Sequence, residues 1–118
     1  MRYYETLLEQ TREGLTIIVD KTHEDIDPWE MLSECFDDRQ ELYRKIDQGY
    51  YDWFMLRVRV MYMQHELAAE FLGGCLYENA AECLTDGVAD DLIFSALHTA
   101  RGAIPELIEG LQKIPLEA

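Results

Sequence analysis

The sequence predicts an α+β domain built of N-terminal helices, one central antiparallel β-hairpin and C-terminal helices. Three observations carry that expectation. Apolar residues recur at three- and four-residue steps early in the chain, they alternate at period two from Tyr50 to Glu78, and helical spacing returns afterwards. At 118 residues the chain fits one hydrophobic core, so a single domain is expected over 1–118, helical over 1–49, a hairpin over 50–78 and helical again over 79–114.

Each element has a local reason. From Tyr3 to Asp20, Tyr4, Leu7, Leu8, Leu15 and Ile18 fall on one side of a helix while Glu5, Glu9, Arg12 and Glu13 fall elsewhere. Asp27-Pro28-Trp29-Glu30 supplies an N-cap, a proline for the first helical position and an acid two residues on, which starts a short helix. A further helix is expected from Asp37 or Asp38 to Gly49, with Leu42, Tyr43 and Ile46 on its buried side.

In the hairpin, a turn centred on Gln64 and His65 sets Val60 against Ala69, Val58 against Phe71, Leu56 against Gly73 and Phe54 against Cys75. That apolar face is expected to lie on the helices. The same register sets Arg59 opposite Glu70, and Gly73-Gly74 suits a bulge or the close approach of another backbone. Asn79-Ala80-Ala81-Glu82 reads as a capping box, and Asp86-Gly87 separates its short helix from a longer one. Val88, Leu92, Ile93, Ala96, Leu97 and Ala100 form that helix's apolar stripe, and Gly102 and Pro105 are expected to end or kink it.

Charge narrows the function classes. Twenty-four Asp and Glu against ten Lys and Arg give a formal charge of −14, which repels nucleic-acid phosphates and anionic lipid and attracts basic surfaces. With 48% hydrophobic residues the chain is too apolar for a disordered acidic tail. No apolar run approaches the ~20 residues of a membrane span, and the segment Met1-Arg2-Tyr3-Tyr4-Glu5 lacks a secretory apolar core, so a cytoplasmic location is expected. Cys35, Cys75 and Cys83 share no C-x-x-C spacing and read as reduced thiols.

No motif demands catalysis or a cofactor. His23, His65 and His98 lie apart from the cysteines and from one another, without the close pairs of a zinc site. Cys75 with His65 is too far separated for a nucleophile and base; spacing leaves Cys83 with His98 open as such a pair, but a small buried cysteine is the commoner reading. Asp86, Asp90 and Asp91, the densest candidate cluster for Ca²⁺ or Mg²⁺, lack the EF-hand pattern, and Asp86 and Asp90 are favourable simply as acids near a helix N-terminus. Gly73-Gly74 does not open a helix and is no phosphate loop. The expectation is a binding protein with no enzyme activity, metal or cofactor.

The candidate contacts are therefore acids. Glu78, Glu82, Asp86, Asp90 and Asp91 occur between Leu76 and Ala100 with no Lys or Arg among them, and four of them recur every fourth residue. A second concentration contains Glu24, Asp27, Glu30, Glu34, Asp37 and Asp38. Carboxylates so arrayed can occupy a basic nucleic-acid groove by the attraction that phosphates use, or they can form a solvated face that keeps the chain soluble. Trp29, Tyr50, Tyr51 and Trp53 are alternative anchors for steric blockade, against ordinary packing.

The segments Asp52-Trp53-Phe54, Arg57-Val58-Arg59-Val60, Leu72-Gly73-Gly74-Cys75-Leu76-Tyr77-Glu78 and Asp86-Gly87-Val88 resemble small acidic proteins of bacteriophages and prophages. Size and charge are similar to those of anti-CRISPR and anti-restriction inhibitors. The resemblance implies stoichiometric binding to the basic surface of a host nucleic-acid-binding complex, with no direct nucleic-acid or membrane binding. It carries over no site residues. The competing expectation is a regulatory or assembly module, an antitoxin-like partner or a dimerising adaptor, in which the open hairpin edge lets a second copy add a strand.

Overall fold

The computed structural model describes residues 2–31 and 39–117. Their architecture is a four-stranded antiparallel sheet in the order β1-β2-β3-β4, covered on one face by a long helix. The strands are β1 (Tyr4–Arg12), β2 (Leu15–His23), β3 (Asp52–Tyr62) and β4 (His65–Tyr77). Short helices α1 (Pro28–Met31) and α2 (Arg39–Asp47) lie between β2 and β3, and α3 (Val88–Gln112) follows a 3₁₀ turn at Ala80–Leu84.

The expected N-terminal helix over Tyr3 to Asp20 is instead the β1–β2 hairpin, so the assignment of 1–49 as helical fails over residues 4–23 and holds only at α1 and α2. Two local features decide it. Glu13 and Gly14 both take positive φ, 52° and 83°, the requirement of a two-residue turn whose twist matches its strands. Thr16-Ile17-Ile18-Val19 is β-branched throughout, and Leu15, Ile17 and Val19 alternate onto the buried face. The helical spacing of Leu7 and Leu8 arises from a bulge, where the β1–β2 register shifts between Thr6 and Leu8.

The β3–β4 hairpin lies where period two places it, and Phe54 does pair with Cys75. Its turn comes one residue earlier than expected, with Tyr62 opposite His65 and Met63 at φ 55°. Val60 therefore faces Ala68, Val58 faces Glu70, Leu56 faces Leu72, and Arg59 faces Ala69 instead of Glu70. Register irregularities beside Met61 and between Phe54 and Leu56 recover the expected pairing only at the far end. Phe71 is left on the sheet's other face, 52% exposed, while Glu70 reaches α3 and accepts hydrogen bonds from Ser95 and Thr99, each at 3.3 Å.

The core lies between sheet and helix. Ile17, Val19, Leu56, Val58 and Val60 are fully buried under Ala89, Ile93, Ala96, Leu97 and Ala100 of α3. Pro105 does not end that helix. Lacking an N–H, it forgoes the bond to the Arg101 carbonyl, and the helix continues to Gln112. Arg101 donates to Glu13 in the β1–β2 turn at 3.0 Å, which places the middle of α3 at the turn end of the sheet.

At the opposite end the segment after β2 is fastened by polar contacts. Glu24, 7% exposed, accepts from the Gly74 amide at 2.9 Å and the Ile26 amide at 3.2 Å, while Trp53 Nε1 donates to the Ile26 carbonyl at 2.9 Å. Gly74 has φ 67°, and a Cβ there would stand 2.5 Å from Met31 Cε. The expected α1 is present, with Asp27 accepting from the Trp29 amide at 2.8 Å. Leu42 and Ile46 of α2 are half-buried and Tyr43 is more open.

Candidate acidic binding surface

The acids of residues 78 to 91 gather where β4 runs out and α3 begins. Asn79 caps the 3₁₀ turn by accepting from the Ala81 amide at 3.0 Å, and Ala80 and Cys83 anchor the turn in the core. Gly87, at φ 98°, then redirects the chain into α3, while Asp86 Oδ1 accepts from the Val88 amide at 3.0 Å. The four-residue periodicity of Glu78, Glu82, Asp86 and Asp90 is thus divided among a strand end, a 3₁₀ turn and an α-helix.

Glu78, Glu82, Asp90 and Asp91 are exposed. Asp86 is exposed as well but is engaged: its Oδ2 accepts from the Tyr77 hydroxyl at 2.6 Å. That hydrogen bond, with the one from Val88, holds the Asp86 carboxyl below its ordinary range. Burial, then Asp86 itself, pushes the Tyr77 hydroxyl up. The surface therefore has an immobilised central carboxylate with freer acids on either side.

The second acidic group is divided differently. Asp27 and Glu30 are exposed beside α1, whereas Glu24 turns inward to the Gly74 amide and cannot serve as a surface contact. Glu34, Asp37 and Asp38 lie outside the described residues, as does Cys35. The β1 start, β2 end, β3 start and β4 end share one end of the sheet, so Glu78 and Asp27 belong to the same end of the molecule.

A cleft of about 620 Å³ at this end is lined by residues including Arg2, Lys21, His23, Asp25, Asp52 and Trp53. Its cations are already paired: Arg2 with Asp25, and Lys21 with Asp52 at 3.2 Å and Glu5 at 3.5 Å. Neither cation of the cleft is left without a carboxylate to orient an anionic ligand. Of the aromatic candidates, Trp29 is held between Tyr43, at 5.6 Å between ring centroids, and the Arg39 guanidinium at 3.5 Å. Trp53 is half-buried, and Tyr50 is open at 67% exposure.

Nucleophilic chemistry is poorly served. Burial pushes the Cys75 thiol up to about 11, and raises Cys83 as well, so neither is a thiolate near neutrality. His65 and His98 are exposed while the two thiols face the core. Among the described residues no three His, Cys, Asp or Glu side chains converge as metal ligands, and no helix is long and apolar enough to cross a membrane.

Sequence reasoning missed the Asp20–Arg57 pair on the uncovered sheet face. Arg57 donates to both Asp20 oxygens, at 2.8 and 2.6 Å, and its guanidinium stacks 3.5 Å from the Tyr4 ring centroid. Placing Asp20 at a helix end hid its strand partner. Comparison with known proteins gives no match among family models, curated proteins or solved structures.

Proposed function

We propose that the protein is a phage-type inhibitor of a bacterial nucleic-acid defence complex, of the anti-CRISPR kind. It acts in the host cytoplasm by stoichiometric binding to a basic nucleic-acid-binding surface and not by turnover. The observation that carries this reading is the exposed group Glu78, Glu82, Asp90 and Asp91, in a stretch from Leu76 to Ala100 without Lys or Arg.

The frame beneath these acids favours binding. Two caps and a buried cysteine fix the turn, so less backbone freedom is lost when a partner docks. A partner's cations would release counterions from nucleic acid when they engage it, and carboxylates presented in its place compete for the same groups. Attraction of this kind accelerates encounter and weakens with salt.

The test is capture of nuclease-treated defence complexes from bacterial lysate by the tagged protein, followed by titration of the purified complex across a salt series. Replacing Glu78 and Glu82 with Gln, and Asp90 and Asp91 with Asn, should weaken binding and flatten its salt dependence with the fold intact. Unchanged affinity at every salt concentration would remove the mechanism. The open outer edges of β1 and β4 in the four-strand order favour a second reading, a regulatory or assembly module that adds a strand from a partner. Salt-insensitive binding of an extended peptide, without effect on a nuclease, would favour it.

A further inference from the structure

The apolar stripe that seats α3 on the sheet does not stop where the sheet does. Ile93, Leu97 and Ala100 are buried, and helical periodicity carries the same side of the helix on to Ile104, Leu107 and Leu111. Arg101, bonded to Glu13 in the β1–β2 turn, marks the point of departure. Beyond it Leu107 is 43%, Ile108 51% and Leu111 62% exposed, and no described residue covers them. Glu106, Glu109 and Lys113 project from the other side, with Lys113 paired to Glu109 at 3.5 Å.

This projection sets the shape of the molecule. It measures 62 × 26 × 24 Å with a radius of gyration of 18.0 Å, where a compact domain of this length has roughly 13–14 Å. Three helical turns with an uncovered apolar stripe and a proline in their first turn are weakly stable alone, so the stripe calls for a cover.

We propose that the cover is the same segment of a second copy of this chain, the two projecting halves of α3 packing antiparallel about a two-fold axis. Charge selects this occupant. Two copies at −14 each repel over most of their surface. From Arg101 onward, however, Arg101 and Lys113 nearly balance Glu106, Glu109 and Glu117, so the projecting segment itself adds little to that repulsion. A basic partner would be drawn to the acidic remainder instead. An apolar helix face is also self-complementary under two-fold symmetry without any matching polar group. The dimer would carry its acidic ends outward, and nothing in it depends on what those ends bind.

The experiment is sedimentation equilibrium of the full chain over about 1–200 µM, at 0.15 M and 1 M salt, for the wild type and for L107E/L111E. A monomer–dimer equilibrium is expected, strengthened by the higher salt because screening relieves the repulsion. The double variant should raise Kd by at least about a hundredfold, roughly tenfold for each anchor removed. Its near-UV spectrum should be unchanged, since both sites lie outside the core. Phe94→Ser, on the outer side of the sheet-bound half and 76% exposed, should leave association as it is. A wild type that stays monomeric at both salts overturns the proposal. So does a dimer that survives L107E/L111E, which would point to a sheet edge.

Discussion

Asp20 on β2 and Arg57 on β3 stand directly opposite one another and share two hydrogen bonds, on the sheet face that α3 does not cover. Asp20 is 1% exposed, with Arg57 as its bonded counter-charge, and Arg59 Nη2 approaches the same carboxylate only at 3.9 Å. Removing one member leaves the other charge uncompensated. Asp20→Ala should destabilise the fold by about 3 kcal/mol in urea denaturation, more than the paired replacement of both residues by apolar ones. A loss no larger than that of an exposed pair, below about 1 kcal/mol, would contradict the isolation of this charge from water.

Acid should act through Asp86. Its folded-state carboxyl is depressed by the Tyr77 hydroxyl and the Val88 amide, so its stabilisation is present above the unfolded value of 3.8 and is lost as pH falls through the folded one. Urea midpoints should therefore decline below about pH 4. Tyr77→Phe should make this decline shallower at its acid end by moving the Asp86 carboxyl back toward its ordinary range. An NMR titration in which that carboxyl does not move in the variant would separate the two groups.

Glycines at different places should respond with opposite sign to alanine. Gly74 combines positive φ with a Met31 methyl in the space a Cβ would take, so Gly74→Ala should cost at least about 1–2 kcal/mol. Gly102 and Gly110 are helical with nothing within 4 Å of that position. Alanine there should raise helicity and stabilise α3 by about 0.5–1 kcal/mol at each site, read by circular dichroism and thermal melts.

The two described thiols report on the core. With Cys75 pushed up to about 11 by burial and Cys83 raised as well, alkylation of the native protein near pH 8 should be slow at both and rapid after unfolding. Mass spectrometry after brief iodoacetamide exposure, resolved by peptide, checks this. Labelling of Cys75 at the rate of a free thiol would mean that β4 is open on the helix side.

Legibility in the sequence followed the range of the interaction. Caps act over three or four residues, and those at Asp27 and Asn79, like the break at Asp86-Gly87, appear where their residues indicate. Period two from Phe54 to Val60 was legible because every second residue of β3 is buried. The β1–β2 hairpin was not, since its bulge at Leu7 imitates a helical step and the turn pair Glu13-Gly14 is a weaker signal than Asn-Gly. Glu24 read as a surface acid because only the folded sheet brings the Gly74 amide, fifty residues away, to its carboxylate. Asp20 and Arg57 are hidden for the same reason.

The strand order has a consequence for how the chain reaches this state. Both hairpins close over two-residue turns and can form locally, in microseconds. The β2–β3 ladder must instead bridge the whole segment from Glu24 to Tyr51, and its loop-closure entropy falls due before any of its contacts are gained. Joining preformed hairpins, with Val19 meeting Val58, is then the expected transition state. Val19→Ala should slow refolding in stopped flow, while Leu8→Ala, on the outer strand, should chiefly hasten unfolding.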